Sequence, residues 1–208
     1  DRTMFWNVYY VKGAFLNADA AYEVLQGMRT LDVRMLAKCI NTIILARFLN
    51  HHPSIRVNCN AIDGSPNAAL REQQMFLGLP APLFTIDMQN VPLAAFQRFF
   101  DSLEPAFGHM ISLGQTNTIV SCPGLTTHSE LNDAQLRQAG ISRTTIRFAV
   151  GTENPKDLVE HLISAAILAI DPVIANFSRA FMPVNDYKRL ISQVYTSVHQ
   201  RYIDAQLN

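Results

Sequence analysis

The chain is poor in cysteine, has no excess charge of either sign and contains no long apolar run, and each lack excludes something. Its three cysteines, Cys39, Cys59 and Cys122, are odd in number and lack a CxxC spacing. They read as reduced thiols rather than a disulfide frame. Seventeen basic residues balance seventeen acidic ones. With no basic stripe, nucleic acid is not the expected partner. No apolar run reaches the length of a membrane span and no signal-peptide pattern opens the chain, so the expectation is a cytoplasmic protein without a membrane partner. Internal repeats, Gly/Ser linkers, a GxSxG elbow, a P-loop and GxGxxG are missing as well. The sequence starts at Asp1 without an initiator Met, which fits a processed piece or a segment of something longer.

What is present is an alternation of strand and helix patterns. The aromatic-rich residues 1–17 hold a short strand candidate, VYYV, before a turn at Gly13. ADAAYEVLQGM has helical spacing, with Asp19 near its N-terminus. LDVRMLAKCINTIILARFLN is a longer helix, started at Thr30 or Asp32 and stopped at His52-Pro53. His51 and His52 then fall at a helix C-terminus, where a cap-like role suits them better than metal binding. SIRVNCN reads as a strand, AIDGSPN as a loop and AALREQQMFLGL as a helix closed by Gly78 and Pro80. LFTIDM alternates as a strand does, with Leu83, Thr85 and Asp87 on one face. VPLAAFQRFFDSL is an amphipathic helix with Pro92 in its first turn.

Strands follow around His109–Leu113 and over TNTIVSC, then the loop PGLTTHS. The short helix NDAQLRQA has Asn132 as N-cap and Gly140 as stop. TTIRFAV is the last strand, and NPKDLVEHLISAAILAI the next helix, with Asn154 as N-cap and Pro155 at its first position. This is an α/β layer design, a mixed sheet with helices packed on it, and 208 residues suffice for one full core. Past Asp171-Pro172 the chain turns irregular and ends in one long amphipathic helix. Its stripe of Leu190, Val194, Val198 and Tyr202 (or Ile191 and Tyr195) must be buried against this domain, a second copy or another chain.

Within TTIRFAV, Arg147 stands between Ile146 and Phe148. A guanidinium in a packed strand cannot be deprotonated away and needs an anion. Either a core carboxylate pairs with it, or it faces a cleft and takes an external carboxylate in its bidentate fork. A Ser/His hydrolase built from Ser112, Thr126, Thr127, His109 and His128 is a minor alternative, because the nucleophile elbow is missing. Cys122 reads as a small buried residue rather than a nucleophile.

GQTNTIVSCPGLTTHSELNDAQLRQAGISRTTIRFAVGTENPKDLVEHL resembles the C-terminal domain of the pyridoxal-phosphate-dependent enzymes of Cys/Met metabolism. These include cystathionine γ-synthase, cystathionine and methionine γ-lyases and O-acetylhomoserine sulfhydrylase. The likeness rests on Ser112-Leu113-Gly114, Pro123, Thr127-His128, Gly140-Ile141-Ser142, Arg147 and Val150-Gly151-Thr152-Glu153. The helix pair ADAAYEVLQGMRTLDVRM extends it, so that it covers about residues 13–168.

The resemblance implies a fold-type-I C-terminal domain over residues 18–170, a connecting segment at 1–17 and an appended tail at 171–208. It implies that Arg147 holds the α-carboxylate of an amino-acid substrate in a pocket shared with Ser112, Leu113 and Thr127. The cofactor would be pyridoxal 5'-phosphate, bound mainly by residues outside this chain. The family's cofactor lysine, the aspartate on the pyridine nitrogen, the stacking tyrosine and most phosphate ligands lie upstream of the matched stretch. Lys12, Lys38, Lys156 and Lys188 do not sit in the lysine motif. Gln26 and Cys122–Leu125 depart from the family pattern. The implied partners are an amino acid, a cofactor-bearing segment or subunit, and further copies in a homo- or hetero-oligomer. A non-catalytic relative serving as a dimerisation or partner-binding scaffold is the alternative.

Overall fold

A computed structural model of the chain describes residues 1–13 and 15–207. Two compact units result, residues 1–35 and 36–208. In the first, α1 (Arg2–Met4) runs straight into a π-helical stretch, Phe5–Tyr10, and α2 (Ala18–Arg29) follows. The expected VYYV strand is therefore helical. A lone strand leaves its N–H and C=O groups unpaired, whereas a helix satisfies them locally. Neighbouring rings also favour helix: Trp6 meets Tyr10 edge-on at 4.9 Å, an i,i+4 pair. Asn17 caps α2 by accepting from the Ala20 N–H at 2.7 Å. No side chain of α1, the π-helical stretch or α2 is buried.

The helix α3 (Leu31–Asn50) has the bounds its periodicity predicts. From Lys38 to Leu49 it is buried apart from the half-buried Ile43 and Arg47. The second unit then builds β1 (Ile55–Asn58), α4 (Ala68–Gln74), β2 (Leu83–Met88), α5 (Leu93–Asp101), β3 (Gly108–His109), β4 (Ile119–Ser121), α6 (Asp133–Gln138), β5 (Thr145–Ala149), α7 (Pro155–Ala169) and α8 (Val184–Leu207). The five strands lie in the order β1-β2-β5-β4-β3. All neighbours are antiparallel except β3 and β4, which are parallel. The mixed α/β sheet expected from the sequence is present.

Alternation gives the sheet two unlike faces. Phe84, Ile86, Ile146 and Phe148 point into a core closed by Phe96 and Phe99 of α5 and by Leu158, Val159 and Leu162 of α7. Phe84 and Phe148 stack across the strands with centroids 5.0 Å apart. Each such burial is worth about 1.5–3 kcal/mol. Asn132 caps α6 in a full capping box and Asn154 caps α7, with Pro155 at its start.

Several sequence expectations shorten or change. The strand at 109–113 is only Gly108–His109, because β3 is an edge with no partner beyond Met110, whose N–H reaches the Val120 carbonyl at 3.2 Å. TNTIVSC pairs only over Ile119–Ser121. Its Thr118 turns aside, giving N–H and hydroxyl to the Glu153 carboxylate and accepting from the Gly151 N–H at 2.9 Å. His52 does not cap α3. It is buried between Phe177 and Phe181, accepts from the Ser54 N–H at Nδ1 (3.1 Å) and so donates from Nε2 to the Phe177 carbonyl (3.0 Å). That pattern is neutral imidazole, and burial holds its pKa below the ordinary value. The stripe on α8 is buried within this unit: Val194 and Val198 pack with Cys39, Ile40 and Ile44 of α3. Tyr187 enters the main core and donates to Glu160 at 3.1 Å. No helix among the described residues is long and apolar enough to cross a membrane.

Candidate functional site

The second face of the sheet carries Arg56, Thr85, Asp87, Thr145, Arg147 and Ser121, placed there by strand alternation and register. Its two arginines fare differently. Arg56 meets Asp87 at 2.6 Å. Asp87 also accepts from the hydroxyls of Ser142 (2.9 Å) and Thr145. Arg147 lies between Thr85 on β2 and Ser121 on β4, both without charge. Among the described residues it has no ion pair, and its Nε is buried without a hydrogen-bond partner. The core-carboxylate alternative is thus not realised. Leaving a buried donor unpaired costs about 1–3 kcal/mol, more for a charged group.

The other expected site residues lie on the loops that follow β3 and β4. Because β3 and β4 are parallel, their following loops leave in one direction. The loop after β3 carries Ser112 and Leu113; the loop after β4 carries Thr127. Arg147 is opposite Ser121, the last residue of β4. Crevices outside the carboxyl ends of parallel strands are common ligand sites in α/β sheets. Beside Ser121, a cavity of about 360 Å³ is lined by Phe100, His109, Met110, Cys122 and Thr126.

The structure does not bond the four expected residues to one another. Ser112 is half-buried and Leu113 exposed. Exposed Thr127 pairs its hydroxyl with His128 Nδ1 at 2.8 Å. Among the described residues no histidine hydrogen-bonds Ser112, and the Thr127–His128 pair joins chain neighbours with no carboxylate orienting the ring, so the hydrolase alternative lacks its third member. Burial pushes the Cys122 thiol up to about 11, so it stays protonated and unreactive near neutral pH.

Two supporting residues were missed by sequence reasoning. Lys38 Nζ donates to the Gly114 carbonyl at 2.9 Å. Asn41 Nδ2 donates to the carbonyls of Gly151 (3.1 Å) and Glu153 (2.8 Å). One buried turn of α3 thus holds both ends of the stretch that runs from Ser112 through Arg147 to Asn154. The signal was legible: Lys38, Asn41 and Thr42 form a polar i, i+3, i+4 cluster in an otherwise apolar helix segment.

The second unit is thus an α/β domain with one sheet-face arginine that has no ion pair among the described residues. The comparisons give the family to which it belongs. The model of the Cys/Met metabolism PLP-dependent enzyme family matches residues 3–166, and the chain belongs to that family. O-acetyl-L-homoserine sulfhydrylase 1 of Thermus thermophilus is 34% identical over 155 residues, 74% of this chain and 36% of its own length. L-methionine gamma-lyase of Pseudomonas deceptionensis is 30% identical over 166 residues, 79% of this chain and 41% of its own length. The chain therefore spans well under half of either relative. A Campylobacter jejuni protein provisionally assigned as an O-acetylhomoserine (thiol)-lyase superposes with a TM-score of 0.69 at 29% identity, over 79% of this chain and 38% of that one. It was solved with N'-pyridoxyl-lysine-5'-monophosphate.

The family is PLP-dependent, and its cofactor needs a lysine amine at the reacting centre. Among the described residues, no lysine shares the strand face with Arg147. Lys38 is turned to Gly114, Lys156 pairs with Glu160 on α7 at 3.1 Å, Lys188 is exposed on α8, and Lys12 belongs to the other unit. The residues present do not by themselves fit the cofactor.

Proposed function

We propose that this chain is the C-terminal, substrate-carboxylate-binding part of a PLP-dependent enzyme of sulfur amino-acid metabolism. Residues 18–170 form its α/β domain and 171–208 an appended tail. Arg147 takes the α-carboxylate of the amino acid in its planar fork, and Ser112, the Leu113 backbone and Thr127 complete the pocket from the two loops. The cofactor and its lysine are supplied by a segment or subunit outside this chain. The reactions in view are γ- or β-elimination or replacement on cysteine, homocysteine or O-acyl-homoserine substrates; similarity to an O-acetyl-L-homoserine sulfhydrylase and an L-methionine gamma-lyase supports this class. The enzyme works as an oligomer in the cytoplasm.

The observation that carries this reading is Arg147: a half-buried guanidinium, aligned on a strand, with no carboxylate of its own. A paired or solvated arginine would carry nothing. The test is steady-state kinetics of the cofactor-loaded protein with Arg147→Ala and Arg147→Lys. Loss of a charge-assisted, bidentate contact worth about 1.5–3 kcal/mol raises KM for the amino acid roughly ten- to a hundredfold. Lysine restores part of it, since it keeps the charge and loses the fork. An unchanged KM in the alanine variant removes Arg147 from the substrate site.

A further inference from the structure

Three arginines from three helices line one small cleft that uses none of the residues assigned to the sheet face. Arg47 comes from α3, Arg71 from α4 and Arg201 from α8, with Ser197, Val194 and Val198 completing the wall. The cleft measures about 70 Å³. Two carboxylates serve the three guanidiniums. Asp63 meets Arg47 at 3.2 Å, but its side chain is 88% exposed. Glu72 meets Arg71 at 2.5 Å and Arg201 only at 3.9 Å. The rest of Arg71 goes to the Asn60 carbonyl (2.6 Å) and of Arg201 to the Leu77 carbonyl (3.4 Å).

Among the described residues the ion pairs leave these three guanidiniums to two carboxylates, and the Nε atoms of both Arg47 and Arg71 are buried without a hydrogen-bond partner. Guanidinium cannot relieve this by losing its proton. The Glu72 carboxylate packs against Gly78, whose φ of +62° is the left-handed conformation that favours glycine.

We propose that this cleft binds a small tetrahedral oxyanion of the phosphate class, which bridges α8 to α3 and α4. Size selects it: 70 Å³ holds little more than two waters at about 30 Å³ each, too little for a nucleotide. Geometry selects it as well. A carboxylate offers two oxygens in one plane and suits one fork, whereas a phosphate presents acceptors in several directions at once, as three arginines on three helices require. Glu72 acts as the internal counter-ion that the ligand competes with. Because α8 brings Arg201, the anion stabilises docking of the C-terminal helix by mass action.

Free phosphate and a phosphomonoester share this chemistry, so two probes are used on the full chain, inorganic phosphate and glycerol 3-phosphate. Each is titrated by calorimetry and by thermal unfolding against chloride at matched ionic strength. Saturable binding of phosphate alone identifies the free ion; binding of both probes identifies the terminal group of an ester. Arg201→Gln, on an exposed position of α8, weakens either by about tenfold, the loss of one charge-assisted contact. Glu72→Gln tightens it several-fold by removing the competing carboxylate, an effect that loss of a purely structural ion pair does not produce. Urea midpoints confirm that both variants fold. No saturable binding of either probe, equal stabilisation by chloride, or affinities unmoved in both variants overturns the proposal.

Discussion

Arg56 and Arg147 stand on the same sheet face two strands apart, yet one is closed and the other open. Arg56 on β1 has Asp87 at 2.6 Å, and Asp87 is fixed in turn by Ser142 and Thr145. Arg147, on the central strand β5, has only Thr85 and Ser121 as cross-strand neighbours. The difference teaches where this fold spends its own carboxylates. Arg56 is given an internal anion; Arg147 is not, although its position is the less exposed to water. Unpaired charge near a core is costly, so it persists only where the surrounding packing holds the strand regardless.

That packing is the first place to break the comparison. Phe148→Ala empties the ring stacked on Phe84 and costs about 3–5 kcal/mol in urea denaturation. Phe148 shares β5 with Arg147, so loss of the open site follows loss of the strand. Asp87→Ala comes next, at about 1–3 kcal/mol, because it strands two hydroxyls and Arg56. Arg147→Met gives the contrasting result in the same assay, with stability of the chain unchanged or raised by up to about 1 kcal/mol, since it removes a buried donor that had no partner. If Arg147→Met costs as much as Asp87→Ala, the arginine has an internal anion and the contrast fails.

Smaller effects sharpen the contrast further. Asn132→Ala removes the capping box of α6 and costs about 1 kcal/mol, with no change at either arginine. His52 supplies a pH test. Its folded pKa is lowered by burial, while the unfolded histidine titrates near 6.5. As pH falls below about 6.5 the unfolded chain takes up a proton that the folded chain refuses, so stability declines until the folded pKa is reached. His52→Gln flattens that slope in urea midpoints measured from pH 7 to pH 5; an unaltered slope shows that another group titrates.

Helices and their ends were legible because they depend on local rules. The spans of α3 and α7, the caps at Asn132 and Asn154 and the stop at Gly140 follow from side-chain spacing and capping chemistry within a few residues. Strand extents were not, since a strand lasts only while a neighbour pairs with it: β3 ends at His109 and VYYV never becomes a strand. At the candidate site, the sequence could say that Arg147 needs an anion, but not whether one lay within reach across the sheet.

The sequence by itself determined the α/β alternation and the family motifs from Ser112 to Glu153, and it raised the expectation of an anion at Arg147. Tertiary structure alone decided that Asp87 goes to Arg56 and not to Arg147, that Lys38 and Asn41 clamp the two ends of the site-bearing stretch, that His52 is neutral and buried, and that α8 folds back on α3. The physical reason is separation along the chain. Periodicity and capping act over three or four residues, whereas which carboxylate meets which guanidinium is settled by register between strands dozens of residues apart.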